Sequence, residues 1–368
     1  MGRLYVWQRD NWPNLKWDAS TLLSLVGQAR KAQGRVIAQA DLIGLEQQAK
    51  LIVEEAFTTS AIEGEKLDRD SIRSSVAKRL GLPTAGLPES ERAVDGLVSI
   101  LIDATSKYDK PLDDKRLFGW HAALFPTGYS GFHKIEVGNW RKDKEPMQVI
   151  SGPEGKKTVH FEAPPSKQVK TEMKEFLNWW NHSSDIDGVL RAGIAHFWFV
   201  TIHPFEDGNG RLARAITDMA LAQDEKTGRR LYSLSSQINR ERKDYYDILE
   251  KSQKGSCDIT EWLTWYLGLF VRAVESSKEA INTAVAIAKF WKEHSKTVMN
   301  ERQLKAVNRL IEAGLEGFEG GMTNRKYVSL TKVSPETAKR DLKDLEDKGI
   351  FVKNEGRGRS VSYSIKWD

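Results

Sequence analysis

The sequence predicts a mainly α-helical protein: a helical N-terminal domain, a larger helical domain broken by one short β-hairpin, and a C-terminal winged helix-turn-helix. Three observations predict it. Apolar residues recur at helical spacing through most of the 368-residue chain. One central segment instead alternates around a glycine turn. The end of the chain reads as helix, helix, helix and hairpin. The composition, 40% apolar and 29% charged, suits well-formed cores under a solvated surface.

The first domain is expected over residues 1–88. Leu22, Leu23, Val26, Ala29 and Val36 fall on one helical stripe. A second helix is expected through DLIGLEQQAKLIVEEAFTTSAI, with Asp41 as its N-cap and Leu42, Leu45, Ala49, Ile52, Val53 and Ala56 as its stripe. GLPTAGLPES then breaks the pattern and marks a boundary. Residues 89–294 form the second domain, with helices in ERAVDGLVSILIDATSKY, DDKRLFGWHAALF, KQVKTEMKEFLNWWNHS and VLRAGIAHFWFVTIH and again from about Asp258 to His294. Met147, Val149, Val159 and Phe161 alternate about a turn at Gly152-Pro-Glu-Gly155, which predicts a hairpin closed by Pro164 and Pro165. Residues 295–368 form the third domain. ERQLKAVNRLIEAGLEG is a helix ending near Gly314 or Gly317, MTNRKYVSLTKV a short helix, and SPETAKRDLKDLEDKG a longer one. Ser334 caps the last with Pro335 at its first position, and Gly349 stops it.

Several function classes are excluded or made unneeded. MGRLYVWQRDNW holds no apolar run of signal-peptide type, and charges interrupt every apolar stretch before membrane-spanning length. The single cysteine, Cys257, makes no internal disulfide and holds no structural zinc alone. A reducing cytoplasm is the expected location, with no membrane partner. The net charge of +5 and pI near 9.0 permit contact with nucleic acid or nucleotide phosphates without requiring either.

The chemistry concentrates in His203-Pro-Phe-Glu-Asp-Gly-Asn-Gly-Arg-Leu-Ala-Arg214. Pro204 should end the preceding helix at His203 and leave the imidazole projecting into a loop. Gly208, Asn209 and Gly210 then open a new helix, where unpaired N–H groups and a positive dipole bind phosphate. Arg211 and Arg214, three apart, place two guanidiniums near that mouth. A neutral histidine beside a polyphosphate site can take a proton. Asp207 adds one hard oxygen ligand, sufficient for magnesium shared with substrate phosphates. His196, seven residues before His203, could share a face with it as a metal pair. No acidic residue sits beside it at ligand spacing, and its apolar surroundings favour a core role. His121 and His160 are expected in surface or packing roles, and Trp179-Trp180 in the core. In the first domain, Thr59-Ser60-Ala61-Ile62-Glu63-Gly64 reads as a helix end, where the acidic Glu63 opposes the dipole and invites a cationic partner.

The loop resembles the signature of Fic-domain proteins, His-x-Phe-x-Asp/Glu-Gly-Asn-Gly-Arg-x-x-Arg, at every fixed position. The resemblance extends to GNWR at 138–141, the hairpin before the double proline, and the lead-in RAGIAHFWFVTIHPF. WPNLKWD and the following helix resemble the N-terminal domain of a large bacterial Fic group, and the tail lies outside the core pattern. The resemblance implies a Fic-type helical core and transfer of AMP from ATP to a Ser, Thr or Tyr hydroxyl of a protein target or of the chain itself. His203 would be the general base, Asp207 the magnesium ligand, and the backbone from Gly208 through Leu212 and Ala213 the phosphate cradle. Arg211 and Arg214 would neutralise the outer phosphates. The hairpin would be a flap that pairs with the target segment, with Ile150, Ser151 and Gly152 near the nucleotide. Tyr245 matches a position near the adenine; eight residues on, Gln253 stands where some members carry Asn. Glu63 matches the family's inhibitory motif and would pair with Arg214 within the same chain. Reverse activity, removal of AMP, occurs in some members with this motif, and Glu63 would then have a catalytic role.

The tail leaves two readings open. Residues 321–368 hold eleven Lys or Arg against seven Asp or Glu, a basic balance suited to phosphate backbones. Thr337, Lys339 and Arg340 would face outward on the recognition helix, with Arg357 and Arg359 in the wing. Asp341, Asp344, Glu346 and Asp347 on the same helix would repel DNA, and winged helices also dock proteins. An ATP-sensing DNA-binding regulator, of transcriptional or toxin–antitoxin type, is therefore the alternative function. A homodimer is the remaining partner the reading leaves open.

Overall fold

The computed structural model describes residues 4–142, 145–151, 158–183, 185–315, 317–354 and 361–367. The chain forms two compact units, Met1–Ala40 with Leu45–Ser277 and Asp41–Gly44 with Lys278–Asp368.

The first unit opens with α1 (Ala19–Ile37), α2 (Leu45–Ile62), α3 (Arg69–Leu80), α4 (Arg92–Ser106) and α5 (Asp114–Leu124). Two short hairpins follow, β1 (Tyr129–Ser130) with β2 (His133–Lys134), and β3 (Gln148–Ser151) with β4 (Thr158–Glu162). It closes with α6 (Ser166–His182), α7 (Gly188–Ile202), α8 (Asn209–Glu225), α9 (Leu234–Arg240), α10 (Arg242–Gln253) and α11 (Thr260–Ser276). Helix starts follow the capping chemistry. Asp18, Asp68, Asp113 and Ser233 each accept from a first-turn N–H, and Asp187 accepts from Val189 and Leu190.

Helix α7 is the axis of this unit. GVLRAGIAHFWFVTI is apolar all round, and every residue from Val189 to Ile202 is buried, as such a helix must be. It packs on α8, α6 and α11. Its three polar residues have partners, Thr201 accepting from Gln253 Nε2 at 3.4 Å. Arg191 donates to Ser183, Gln223 and the Trp180 carbonyl and lies 4.2 Å over the Trp180 ring. His196 lies between Thr217 Oγ1 and the Tyr245 hydroxyl, 3.0 Å from each.

The boundary expected at residue 88 does not separate two compact units. Glu55 of α2 accepts from Ser233 Oγ at 2.5 Å and from Ser235. Arg30 of α1 pairs with Asp187 at 2.8 Å and with Asp224. These buried and half-buried polar contacts fasten residues 1–88 onto the larger helical body. Two local expectations are also corrected. Asp41 lies in a single 3-10 turn, four residues before α2, which starts at Leu45 after Ile43-Gly44, so it is not at the helix's N-cap position. Leu23, Leu42 and Leu45 are exposed, and α1 instead buries Leu22, Ala29, Ala32, Gln33 and Val36.

The second unit holds α12 (Lys278–Glu293), α13 (Glu301–Ile311), β5 (Met322–Thr323), α14 (Asn324–Thr331), α15 (Pro335–Asp347), β6 (Phe351–Lys353) and β7 (Ser362–Ile365). The strands form an antiparallel sheet in the order β5-β7-β6. This compact unit takes in α12 from Lys278 on, and Phe290 on α12 is buried with Val307, Leu310, Leu342 and Phe351. MTNRKYVSLTKV begins with a strand, and Thr323 then caps α14. Ser334 caps α15 with Pro335 in the first turn, as its sequence predicts. Lys339 and Arg340 are exposed, while Thr337 is half-buried against the Ser334 hydroxyl. Asp341 faces inward, bonded to Arg302 at 2.9 Å and to the Tyr327 hydroxyl at 3.0 Å, so it adds little to the helix's outer charge. Arg357 and Arg359 lie outside the described residues. No helix among the described residues is long and apolar enough to cross a membrane.

One close approach tests the packing. A Cβ on Gly96 of α4 would lie 1.8 Å from the Ala123 carbonyl oxygen of α5, a backbone atom that cannot swing aside. Gly96→Ala is expected to destabilise the first unit by about 1–3 kcal/mol through overpacking. Urea unfolding followed by circular dichroism measures this, and an unchanged midpoint would contradict the packing.

Candidate active site

The site is built where α7 ends and α8 begins. His203 is the C-cap of α7 and takes a left-handed backbone, φ 51 and ψ 59, with its N–H donating to the Phe199 carbonyl. A non-glycine residue there is strained, and Arg141 holds it in place. The Arg141 backbone N–H donates to the Pro204 carbonyl at 3.0 Å, and Nε–H donates to the His203 carbonyl at 2.7 Å. Another Arg141 nitrogen donates to the Pro164 carbonyl beyond the hairpin. Arg141 is buried and ties the bend, the hairpin exit and the GNWR segment together.

The loop then closes on itself. Phe205 N–H donates to Asn209 Oδ1 at 3.0 Å, and Asn209 Nδ2 donates back to the Phe205 carbonyl at 2.8 Å. Phe205 stacks on His121 with ring centres 4.2 Å apart. His121 Nδ1 accepts from Gly138 N–H at 3.1 Å, which leaves Nε2–H to donate to the Asp207 carbonyl at 3.2 Å. This histidine, expected only to pack, positions the loop. Asp207 accepts from Gly208 N–H at 2.6 Å and from the Ser130 hydroxyl. Gly208 is left-handed, φ 82, and a Cβ there would meet the Phe125 ring at 2.9 Å, so glycine is required.

The two arginines of α8 face the end of α2 and the turn beyond it. Arg211 reaches Glu65 at 2.7 Å. Arg214 is 2% exposed; its Nε–H donates to Thr59 Oγ1 at 2.6 Å, and its Nη2 donates to the Thr59 carbonyl at 2.9 Å and to Glu63 Oε1 at 2.7 Å. Burial opposes the charge on Arg214, yet Glu63 beside it holds its pKa above the ordinary arginine value. The Tyr246 hydroxyl donates to the Ile62 carbonyl at 3.2 Å and pins the end of α2. The volume above Gly210 is filled: a Cβ there would lie 2.1 Å from Glu63 Oε1. Arg214 Nη1 and Arg211 Nε are buried without a hydrogen-bond partner.

His203, Gly210, Glu63, Tyr245, Gln253, Ile150 and Ser151 line one cavity of about 770 Å³, a size suited to a small-molecule ligand. Gly152 lies outside the described residues. Leu212 and Ala213 are buried and do not line this cavity. Tyr245 is buried with its hydroxyl on His196, and Gln253 is buried with Nε2 3.4 Å from Thr201 Oγ1. His196 is thus occupied as a core residue. Among the described residues no group of three metal-ligating side chains occurs. Asp207, with its side chain 41% exposed, is a hard oxygen donor and fits a cation shared with phosphates; the loop's other carboxylate, Glu206, accepts from the Glu136 N–H at 3.1 Å.

Arg141, His121, Ser130, Tyr246, His160 and Glu250 all act at the site although sequence reasoning gave them no such role. Only Arg141, within GNWR, carried a signal.

Residues 111–221 match the sequence profile of the Fic/DOC family, and residues 5–82 match a domain of unknown function, DUF4172. A protein of Aquifex aeolicus (strain VF5) named as a probable protein adenylyltransferase is 30% identical over 104 residues, 28% of this chain and 30% of that protein. The protein adenylyltransferase Fic of Nematostella vectensis is 24% identical over 267 residues, 69% of this chain and 54% of that protein. The chain therefore spans about a third to half the length of these relatives. A crystal structure of a Fic family protein from Desulfovibrio desulfuricans G20 superposes with a TM-score of 0.58 at 19% identity, covering 94% of this chain and 96% of that one; the fold is shared.

Loss of water around the half-buried His203 ring lowers its pKa to about 4, with Arg141 adding to the effect against the pull of Val200, Glu63 and Asp207. Nδ1 lies 3.2 Å from the Val200 carbonyl, which assigns the proton to Nδ1 and the lone pair to Nε2. The ring is therefore neutral and ready to accept a proton across the physiological range. An NMR titration is expected to show His203 unprotonated down to about pH 5; a midpoint between 6 and 7 would contradict it.

Proposed function

We propose that this chain, which carries a Fic/DOC-family domain at residues 111–221, transfers AMP from ATP to a Ser, Thr or Tyr hydroxyl of a protein target. The observation that carries the reading is the convergence, on one cavity, of a neutral histidine and a glycine helix start backed by a buried arginine. On this reading His203 Nε2 takes the hydroxyl proton, the oxygen attacks the α-phosphorus, and pyrophosphate leaves. Backbone N–H groups of Gly208, Asn209 and Gly210 receive phosphate oxygens at the start of α8. Arg211 and Arg214 neutralise the outer phosphates. Asp207 holds a magnesium ion, which supplies charge neutralisation on the phosphates. Ile150 and Val159 are exposed on the hairpin, which favours strand-like docking of the target there.

Glu63 then acts as a brake. Its carboxylate fills the space above Gly210 and holds Arg214, the group needed by the terminal phosphate. Residues 1–88 would decide when the reaction runs, residues 89–294 would perform it, and residues 295–368 would dock a partner as a winged helix. The setting is a reducing cytoplasm, and the same loop and Glu63 suit AMP removal as the reverse reaction.

The exposed Lys339 and Arg340 on α15 favour a second reading, an ATP-sensing regulator that binds DNA. A mobility shift of genomic fragments that depends on ATP, without any AMP transfer, would select it. For the enzyme reading, Glu63→Gly is expected to raise transfer of label from α-phosphate-labelled ATP to lysate proteins by at least about tenfold, equivalent to some 1.4 kcal/mol of barrier. Adding His203→Ala should remove that transfer and leave ATP binding largely intact. No gain in the first variant removes the brake; retained transfer in the second removes the general base.

A further inference from the structure

The hairpin carries a hydroxyl with a base of its own. Val149 stands opposite Phe161 and Ile150 opposite Val159, so His160 is the extra residue of a β-bulge. A bulge re-aims its side chain. Here the ring lands between a serine and a carboxylate: Ser151 Oγ lies 2.6 Å from His160 Nε2, and Glu250 Oε2 lies 2.6 Å from His160 Nδ1. Lys254, one turn further along α10, also pairs with Glu250. Burial pushes the Glu250 carboxyl up, but Lys254 and His160 outweigh it and hold it below the ordinary carboxylate range. An ionised Glu250 accepts Nδ1–H, which leaves the Nε2 lone pair to accept the Ser151 proton.

A hydroxyl, an imidazole and a carboxylate in this chain of contacts activate a serine oxygen. A tether from hairpin to α10 would need only His160 and Glu250. The exposed Ser151 hydroxyl is surplus to that purpose, and it lines the same cavity as His203 and Gly210. We propose that Ser151 is a self-modification site, whose hydroxyl accepts the nucleotidyl group of a nucleoside triphosphate bound in that cavity, with His160 as its base. This rests on the transfer reading above. Ser151 Oγ bonds to the α-phosphorus as the bond from that phosphorus to the α–β bridging oxygen breaks. Inorganic pyrophosphate leaves with the electron pair, and the serine proton passes to His160 Nε2. Glu250 stabilises the resulting imidazolium.

The test uses the full chain carrying Glu63→Gly, incubated with ATP, magnesium and cell lysate, then digested with trypsin. Ser151 is the only hydroxyl residue in the peptide from Glu145 to Lys156, so mass spectrometry assigns its modification without ambiguity. AMP on this peptide is expected, lost with Ser151→Ala. The initial rate should fall about 100-fold with His160→Ala, a general base's usual share, and at least about tenfold with Glu250→Gln, which keeps the side chain's shape and removes its charge. AMP on lysate proteins with Ser151 unmodified overturns this assignment alone. An unchanged rate in both base variants also overturns it. Absence of AMP from every protein overturns the transfer reading and this one with it.

Discussion

Arg214 carries a full charge at 2% exposure, and the first unit is arranged around satisfying it. Thr59 supplies a hydroxyl and a carbonyl, and Glu63 supplies the counter-charge at 2.7 Å. A hydrogen bond to a charged group contributes about 1.5–3 kcal/mol, so a ligand that displaces Glu63 must return a comparable interaction at the same nitrogen. An anionic phosphate oxygen meets that condition, and water meets it poorly. Removing the carboxylate with nothing in its place leaves a buried charge short of a partner. On the proposed reading, a phosphate at the glycine turn would compete with the end of α2 for one guanidinium.

The second constraint is the bend at His203 and Pro204. A left-handed histidine costs about 1–2 kcal/mol, and the structure offsets it with backbone and side-chain bonds from Arg141 and with the reciprocal Phe205–Asn209 pair. The same bend lifts the imidazole out of the fully buried α7 while keeping it partly shielded from water. That partial shielding lowers its pKa to about 4. Conformational strain and base strength thus share one cause, the abrupt end of an apolar helix at the mouth of a polar loop.

The hairpin adds a further polar chain that the loop does not need. Its bulge turns His160 toward α10, and Glu250 holds the ring. The cavity consequently has two imidazoles at different positions, His203 held by the Val200 carbonyl and His160 held by a carboxylate. Their environments differ, and so does the hydroxyl each can serve.

Helix placement was legible where the apolar period was clear, as in α4, α5, α6 and α7, and where a cap agreed with it, as in α15, because those signals act within a few residues. The loop from His203 to Arg214 was legible for the same reason: its proline, glycines and arginines follow one another along the chain. Asp41 misled because a short polar residue before an apolar stripe signals a cap only if the helix begins there, and Ile43-Gly44 intervenes. The Pro/Gly-rich break near residue 88 marks a loop, but no local signal in the sequence reveals contacts across it such as Glu55 with Ser233. His121 and His160 were unreadable because their partners, Asp207 and Glu250, lie 86 and 90 residues away. By itself the sequence determined the mainly helical class, most of the long helices and the chemical content of the loop. Only the tertiary structure decided that Glu63 occupies the space above Gly210, that Arg214 is buried against it, and that a bulge brings His160 to Ser151. Those contacts join residues far apart in the chain, and no local periodicity encodes them.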